Sequence, residues 1–548
     1  MSGKRFVLTA DRSQMSNFRF NFLFGFLSSG PVKVSPEPIY SMICPTDDTY
    51  DHETGRMTVA PLGLRRVQSA LEIAYGGDDV VAQHPYEIER AIGEDTEVVG
   101  LTEMSPLGMG PVDTAISWMN TPWNRTWFIR LLKRLKSLKQ RYDFKVVVGG
   151  PGSWQLLDRD VDSFSMINGT IQSGLKEELG VDHVVEGEAD KLAPEIFEKV
   201  ASGTAPEVMR LQTNSILSVD DIPEIRYPTL TAVVECMRGC GRGCEFCAPI
   251  LRTKRDFPPQ RVAREASVNI RHGYDAVWLQ SEELSLYGCH DKDKWPNEEA
   301  ILELYGALKQ AGARKIGATH WTFAGVRAAP KMIEALSKIN GLDKGEWMGV
   351  QPGLEYASPR MVKKYLPYKA KPFTSEEYPE TVREGIRTMN RYHYYPASTL
   401  IVGAPDEEPD EVQMTIDLIE SLSKEGVHGI FAPLLYVDYY RPEQTMDYDK
   451  MTEKHWKLYY VCWKHNVKEF KEKIWIATQT FGPVQRIISV MGTYAIGWYL
   501  LGFLKSQFRH RFGYVPDWMD SNPGVESPRP PVPLPPMTAR TGGGSPLV

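Results

Sequence analysis

The chain has 548 residues, 42% of them hydrophobic and 24% charged, enough to bury sizeable cores and to divide into two or three domains. Its 63 Lys and Arg against 70 Asp and Glu leave a formal charge of −7, and without a basic excess to track a phosphate backbone, nucleic acid is excluded as the expected substrate. Seven cysteines, four of them between Cys236 and Cys247, are too few and too clustered for a disulfide framework, so the thiols point to metal.

The opening residues lack the basic region, apolar run and small-residue cleavage site of a secretory signal, and a cytoplasmic location is expected. Short apolar runs at 6–9, 80–82, 98–101, 145–148 and 183–186 then read as strands, with helical spacing at 62–74 and 128–142. This alternation predicts a doubly wound, Rossmann-like α/β domain over residues 1–205. Polar, proline-containing residues 206–228 read as a linker. From 229 to 445, candidate strands at 231–234, 276–279, 315–318, 347–350, 398–402 and 429–435 alternate with helices at 261–271, 297–311, 331–339, 377–390 and 410–423. Six such units predict a partial (β/α)6 barrel. Residues 446–520 read as helical and the Pro/Gly-rich 521–548 as a disordered tail.

Immediately after the first barrel strand stands Cys240-Gly-Arg-Gly-Cys244-Glu-Phe-Cys247, a C-x3-C-x2-C spacing in a loop whose Gly239, Gly241 and Gly243 allow tight wrapping. A four-iron cluster normally takes four thiolates, so three local ligands leave one iron open. The competing reading is a zinc knuckle with Cys236 as fourth ligand. Paired C-x2-C knuckles are absent, and Cys236 is left out of the ligand set as a small buried residue.

The spacing, with Phe246 before the last cysteine, resembles the signature of the radical SAM family. That resemblance implies a 4Fe–4S cluster on Cys240, Cys244 and Cys247. The open iron would chelate S-adenosylmethionine (SAM) and reduce its sulfonium to release a 5′-deoxyadenosyl radical, with electrons from a reductant such as ferredoxin or flavodoxin. Barrel ligands bind at the C-terminal strand ends, and there Ser281, Glu282, Glu283, Glu355, Ser358 and Gly403 resemble family segments that contact SAM. Taken singly, a Glu or Ser at such a position is more often a helix cap.

In the first domain, Ser105, Leu107, Gly108 and Gly110 follow one strand, Gly149, Gly150, Pro151 and Gly152 another, and Glu186, Gly187 and Glu188 a third. All lie where open α/β sheets bind ligands, and none forms G-x-G-x-x-G. With the cysteine motif downstream, the order resembles the cobalamin-dependent radical SAM family, notably its methyltransferase-like archaeal members. A departure is the absence of histidine from Asp11-Arg12-Ser13-Gln14-Met15-Ser16, so cobalt would lack a histidine ligand from this loop.

The resemblance implies an enzyme that methylates an unactivated carbon of a lipid or of a protein or peptide, one SAM methylating cobalamin and a second supplying the radical. Ring closure of a lipid without methyl transfer is the alternative, and an iron-sulfur or cobalamin-binding sensor is the alternative of another class. The uncharged run 487–504, flanked by Arg486 and Lys505, is too short and too glycine-diluted for a span. It is read as a buried or interfacial helix, the latter making peripheral membrane contact.

Overall fold

The computed structural model describes residues 2–18, 22–118, 120–157, 170–211, 217–247, 253–342, 346–439, 441–477 and 483–520. Six parallel strands form the first sheet: β1 (Phe6–Ala10), β2 (Val80–Ala82), β3 (Val98–Thr102), β4 (Lys145–Gly149), β5 (His183–Glu186) and β6 (Val208–Arg210), in the order β2-β1-β3-β4-β5-β6. Its helices are α1 (Glu37–Ile43), α2 (Leu62–Tyr75), α3 (Pro111–Ser117), α4 (Trp123–Leu138) and α5 (Ala193–Ala201). Alternate residues serve opposite faces: Phe6, Leu8 and Ala10 pack with Leu64 and Leu71 of α2 and Phe197 of α5, while Val7 packs with Phe128, Leu131 and Leu135 of α4. Burial on both faces is why these strands read as continuous apolar runs. The stretch read as linker contributes β6, a correction; three residues paired to β5 are too short to show a period.

The second domain opens with β7 (Val233–Glu235). An antiparallel ribbon follows, β8 (Met237–Arg238) with β9 (Arg255–Asp256). Then come β10 (Ala276–Gln280), β11 (Lys315–Ala318), β12 (His320–Trp321), β13 (Met348–Glu355), β14 (Tyr394–Val402) and β15 (Ile430–Leu435). Two parallel sheets, β11-β10-β7 and β12-β13-β14-β15, meet at the single residue Thr319 and make one curved wall. Outside it lie α6 (Pro259–His272), α7 (Glu298–Gln310), α8 (Phe323–Ala328), α9 (Pro330–Asn340), α10 (Pro359–Tyr365), α11 (Tyr378–Arg391) and α12 (Pro409–Glu425). Met348, Val350 and Leu354 of β13 are buried in the core shared with Val382 and Ile386 of α11. The alternate Gly349, Gln351 and Gly353 are only half-buried, so the barrel's inner face is not a filled core.

The C-terminal region is α13 (Glu453–Ala477), α14 (Pro483–Phe512) and α15 (Asp517–Asp520). α13 packs on α12, α14 and β15. No helix among the described residues is long and apolar enough to cross a membrane. The tail at 521–548 lies outside the described residues.

A buried seam of charge joins the two domains. Arg66 of α2 meets Glu265 of α6 (2.9 Å), Arg238 meets Glu235 (2.7 Å) and Asp190 (3.0 Å), and Arg255 meets Glu188 (2.8 Å). On the far side α3 packs against β15, and the Tyr448 and Tyr459 hydroxyls donate to the Ala115 carbonyl at 2.9 and 2.8 Å.

Candidate functional site

The three cysteines sit between β8 and β9, on a loop where Gly239, Gly241 and Gly243 have φ of 73°, 71° and 66°, backbone that disfavours any side chain. Arg242 pins this loop. Buried, it pairs with Glu283 (Nη2 to Oε1, 2.8 Å) and donates to the carbonyls of Tyr368 (2.6 Å) and Lys371 (2.9 Å). Cys244 and Cys247 share a thiol hydrogen bond that lowers the Cys244 thiol, with the Lys369 ammonium adding to the effect. Burial pushes Cys240 up to about 12, and the Glu283 carboxylate pushes the same way.

Cys236 is turned away from this group. Its thiol reaches the Gln280 carbonyl at 3.5 Å, and its electrostatic neighbours are Glu282, Asp256 and Glu235, with none of the other cysteines. Among the described residues no three or more His, Cys, Asp or Glu side chains gather to hold one metal ion. With Cys236 set aside, the three loop thiols suit a cluster that takes each ligand on a different iron.

Of the positions assigned to SAM, two end in unpaired atoms. The Ser281 hydroxyl is fully buried and Glu282 Oε2 is buried, both without a hydrogen-bond partner. Burial, with Glu235 adding, raises Glu282 to about 7. Unpaired buried polar atoms are costly, and this pair beside the cysteine loop fits a polar ligand such as the ribose or ammonium of SAM. Glu355, at φ 63°, pairs with buried Lys369 at 2.7 Å and accepts from Thr399 at 3.3 Å. Gly353 makes that pair possible, since a Cβ there would lie 2.0 Å from Glu355 Oε1 and 2.4 Å from Lys369 Nζ.

Three others are engaged by protein. Glu283 is consumed by Arg242, Ser285 and Thr322. Ser358 caps α10, accepting from Met361 N (3.3 Å) and donating to Glu411 (2.7 Å). Gly403, at φ 81°, is a packing position against Met446. Arg242 and Lys369 were missed. Arg242 is visible as the one charge within the first cysteine gap; Lys369 lies in the irregular chain between α10 and α11, where no local pattern marks it.

In the first domain the glycine loops hold one another. Ser105 accepts from Gln155 (3.0 Å), which also receives the Leu107 (2.9 Å) and Met109 amides. A Cβ on Gly150 would lie 2.7 Å from the Glu103 backbone, on Gly152 2.4 Å from the Met104 carbonyl, and on Gly108 2.3 Å from Pro122. Gly110 lies against Asp113 and Ser105, and Pro151 sits between the two close-packed glycines. Glu188 belongs to the interdomain seam, and Glu186 pairs with Arg210 at 3.2 Å while its side chain stays 40% exposed. Gly149, Gly150 and Gly187 do line an apolar slot with Leu64, Ile196 and Phe197, about 80 Å3 in volume. This is far below the roughly 300–1,000 Å3 of a small-molecule site, so it suits one limb of a larger ligand.

The two sites face each other through an aromatic pair. Tyr439, beyond β15, is buried close enough to Cys247 for that thiol to raise its hydroxyl pKa further, and it meets Trp154 edge-on at 4.8 Å. Trp154 is two residues past Gly152.

Residues 234–419, about a third of the chain, match the model of the Radical SAM superfamily. Among curated proteins the chain is similar to the tRNA-2-methylthio-N(6)-dimethylallyladenosine synthase of Oceanobacillus iheyensis, 27% identical over 222 residues, 39% of this chain and 39% of that one. It therefore spans well under half the length of that relative. Among solved structures it is similar to the radical SAM methyltransferase TsrM of Kitasatospora setae, determined with cobalamin and a 4Fe-4S cluster (TM-score 0.48, 14% identity, 78% of this chain and 75% of that chain). Another is the cobalamin-dependent SAM radical enzyme OxsB (TM-score 0.45, 13% identity, 87% and 56%).

Proposed function

We propose that the chain is a cobalamin-dependent radical SAM enzyme that methylates an unactivated carbon of a lipid or peptide substrate, drawing electrons from a ferredoxin- or flavodoxin-like donor. The observation that supports it most is the contact Cys247–Tyr439–Trp154, which sets the cluster loop against the ligand edge of the first domain. When bound, the cluster and SAM supply a 5′-deoxyadenosyl radical and cobalamin supplies a methyl group.

The chain's own residues hold this arrangement. Cys240, Cys244 and Cys247 carry the cluster, while Arg242 and Lys369 place two cations beside thiols that must be deprotonated to bind iron. Ser281 and Glu282 offer SAM its polar contacts. The slot at Gly149, Gly150 and Gly187 would hold part of a bound cobalamin, and the 105–110 and 149–152 loops would flank it. Tyr439 and Trp154 wall the space between and keep water from it.

The test is anaerobic reconstitution of the full chain with iron, sulfide, cobalamin and methyl-labelled SAM. Wild type should gain iron and corrinoid absorbance and release 5′-deoxyadenosine. Cys236→Ala should match it, and Cys240→Ala should hold no SAM-cleaving cluster. Deoxyadenosine without label on a lipid or peptide acceptor would move the reading to ring closure, and no deoxyadenosine from reduced wild type would refute the enzyme.

A further inference from the structure

The chain is acidic overall, yet its C-terminal helices run the other way. Between residues 453 and 512, ten Lys and Arg stand against three Glu, with Lys468, Arg509 and Arg511 exposed. Inside this basic stretch lies the uncharged run 487–504. It exposes Ile487, Met491 and Tyr499 at 55%, 68% and 51%, spaced four and eight residues apart on one side of α14. Leu500, Leu504 and Phe508 are buried.

Three exposed apolar side chains within a basic stretch, on a helix that does not span, form a patch that an interfacial layer would cover. Its positive charge selects anionic headgroups, to which juxtamembrane Lys and Arg are attracted. From the exposed face an aromatic series runs inward. Tyr499 stacks on Phe503 (6.3 Å), Phe503 meets Trp118 (5.3 Å), and Trp118 meets Trp463 (6.5 Å). Trp118 ends α3, which begins directly after the 105–110 loop.

We propose that α13 and α14 dock on an anionic lipid bilayer, with the Ile487, Met491 and Tyr499 face in the interfacial layer. The aromatic series then receives an apolar substrate from the membrane side. The choice of substrate rests on the proposed function; the docking does not.

The test is co-sedimentation of the full chain with vesicles of phosphatidylcholine alone and of phosphatidylcholine with phosphatidylglycerol. Binding is expected on the anionic vesicles, weakening as salt rises. It should fall at least roughly tenfold in Ile487→Glu/Met491→Glu, whose far-UV circular dichroism and reconstituted iron content should match wild type. No binding to anionic vesicles, or binding undiminished in the double variant, overturns the proposal. So does light scattering that shows a wild-type dimer broken by these substitutions without vesicle binding, which would assign the face to a second copy. Loss of deoxyadenosine formation would leave the docking result untouched, so the two readings fail separately.

Discussion

Arg242 and Glu283 are each about 1% exposed, and each neutralises a charge the other could not carry alone in the interior. Removing one member of such a pair costs about 3–5 kcal/mol, because the survivor stays buried and unpaired. Glu283→Ala is therefore expected to lower the unfolding free energy by that amount, seen as a lower denaturant midpoint, and to loosen the cysteine loop, read as lower iron content after reconstitution. Gly353→Ala is expected to cost about 1–3 kcal/mol, since the added methyl overpacks the Glu355–Lys369 pair; equilibrium unfolding measures it, with Gly349→Ala as the neighbouring comparison. The spacing alone brings Cys240, Cys244 and Cys247 onto one short loop, which the structure sets between β8 and β9. Lys369 was not legible in this way, since its position beside Cys244 depends on the chain's return from α10, 125 residues further on.

At the scale of elements, the loop after β14 is held to two helices by charge. Arg360 of α10 reaches Asp406 (3.0 Å) and Glu411 of α12. Burial opposes the Asp406 charge, but bonds from Lys364, Tyr365 and Arg360 bring it to about 2; the Arg360 hydrogen bond does the same for Glu411, also to about 2. Both carboxyls are depressed in the folded state, so their stabilisation is full above the ordinary carboxyl range and is lost as pH falls toward 2. Exposure of Arg360 keeps it modest. Thermal melts of Arg360→Ala and wild type are expected to converge as pH drops from 5 to 2. Legibility followed length and packing here. β1, β3, β4 and β5 announce themselves as apolar runs, and β14 was seen only in its last half because Pro396 breaks the run that begins at Tyr394. At Thr231 and Ala232 the expected first barrel strand is instead a turn with φ near 52° and 53°. β8 and β9 are two residues each, set by pairing across the cysteine loop rather than by any period.

At the scale of the molecule, the interdomain seam combines Arg66, Glu265, Glu235, Arg238, Glu188 and Arg255, charges that no sequence pattern joins because they come from both domains. Glu265→Ala should cost about 3–5 kcal/mol and raise hydrogen exchange on both sides of the seam, at α2 and at α6. A merely local defect would confine the change to α6. The barrel wall is open, and an unclosed sheet ends in strands whose outer hydrogen-bonding groups invite another chain. β7 lies at one end, beside the bridge from Ala60 to Thr229, and β15 at the other, under α3. The first domain thus lies against both ends of the barrel wall. A fragment of residues 229–520 is expected to aggregate through them during purification, and co-expression with residues 1–205 should restore a soluble complex.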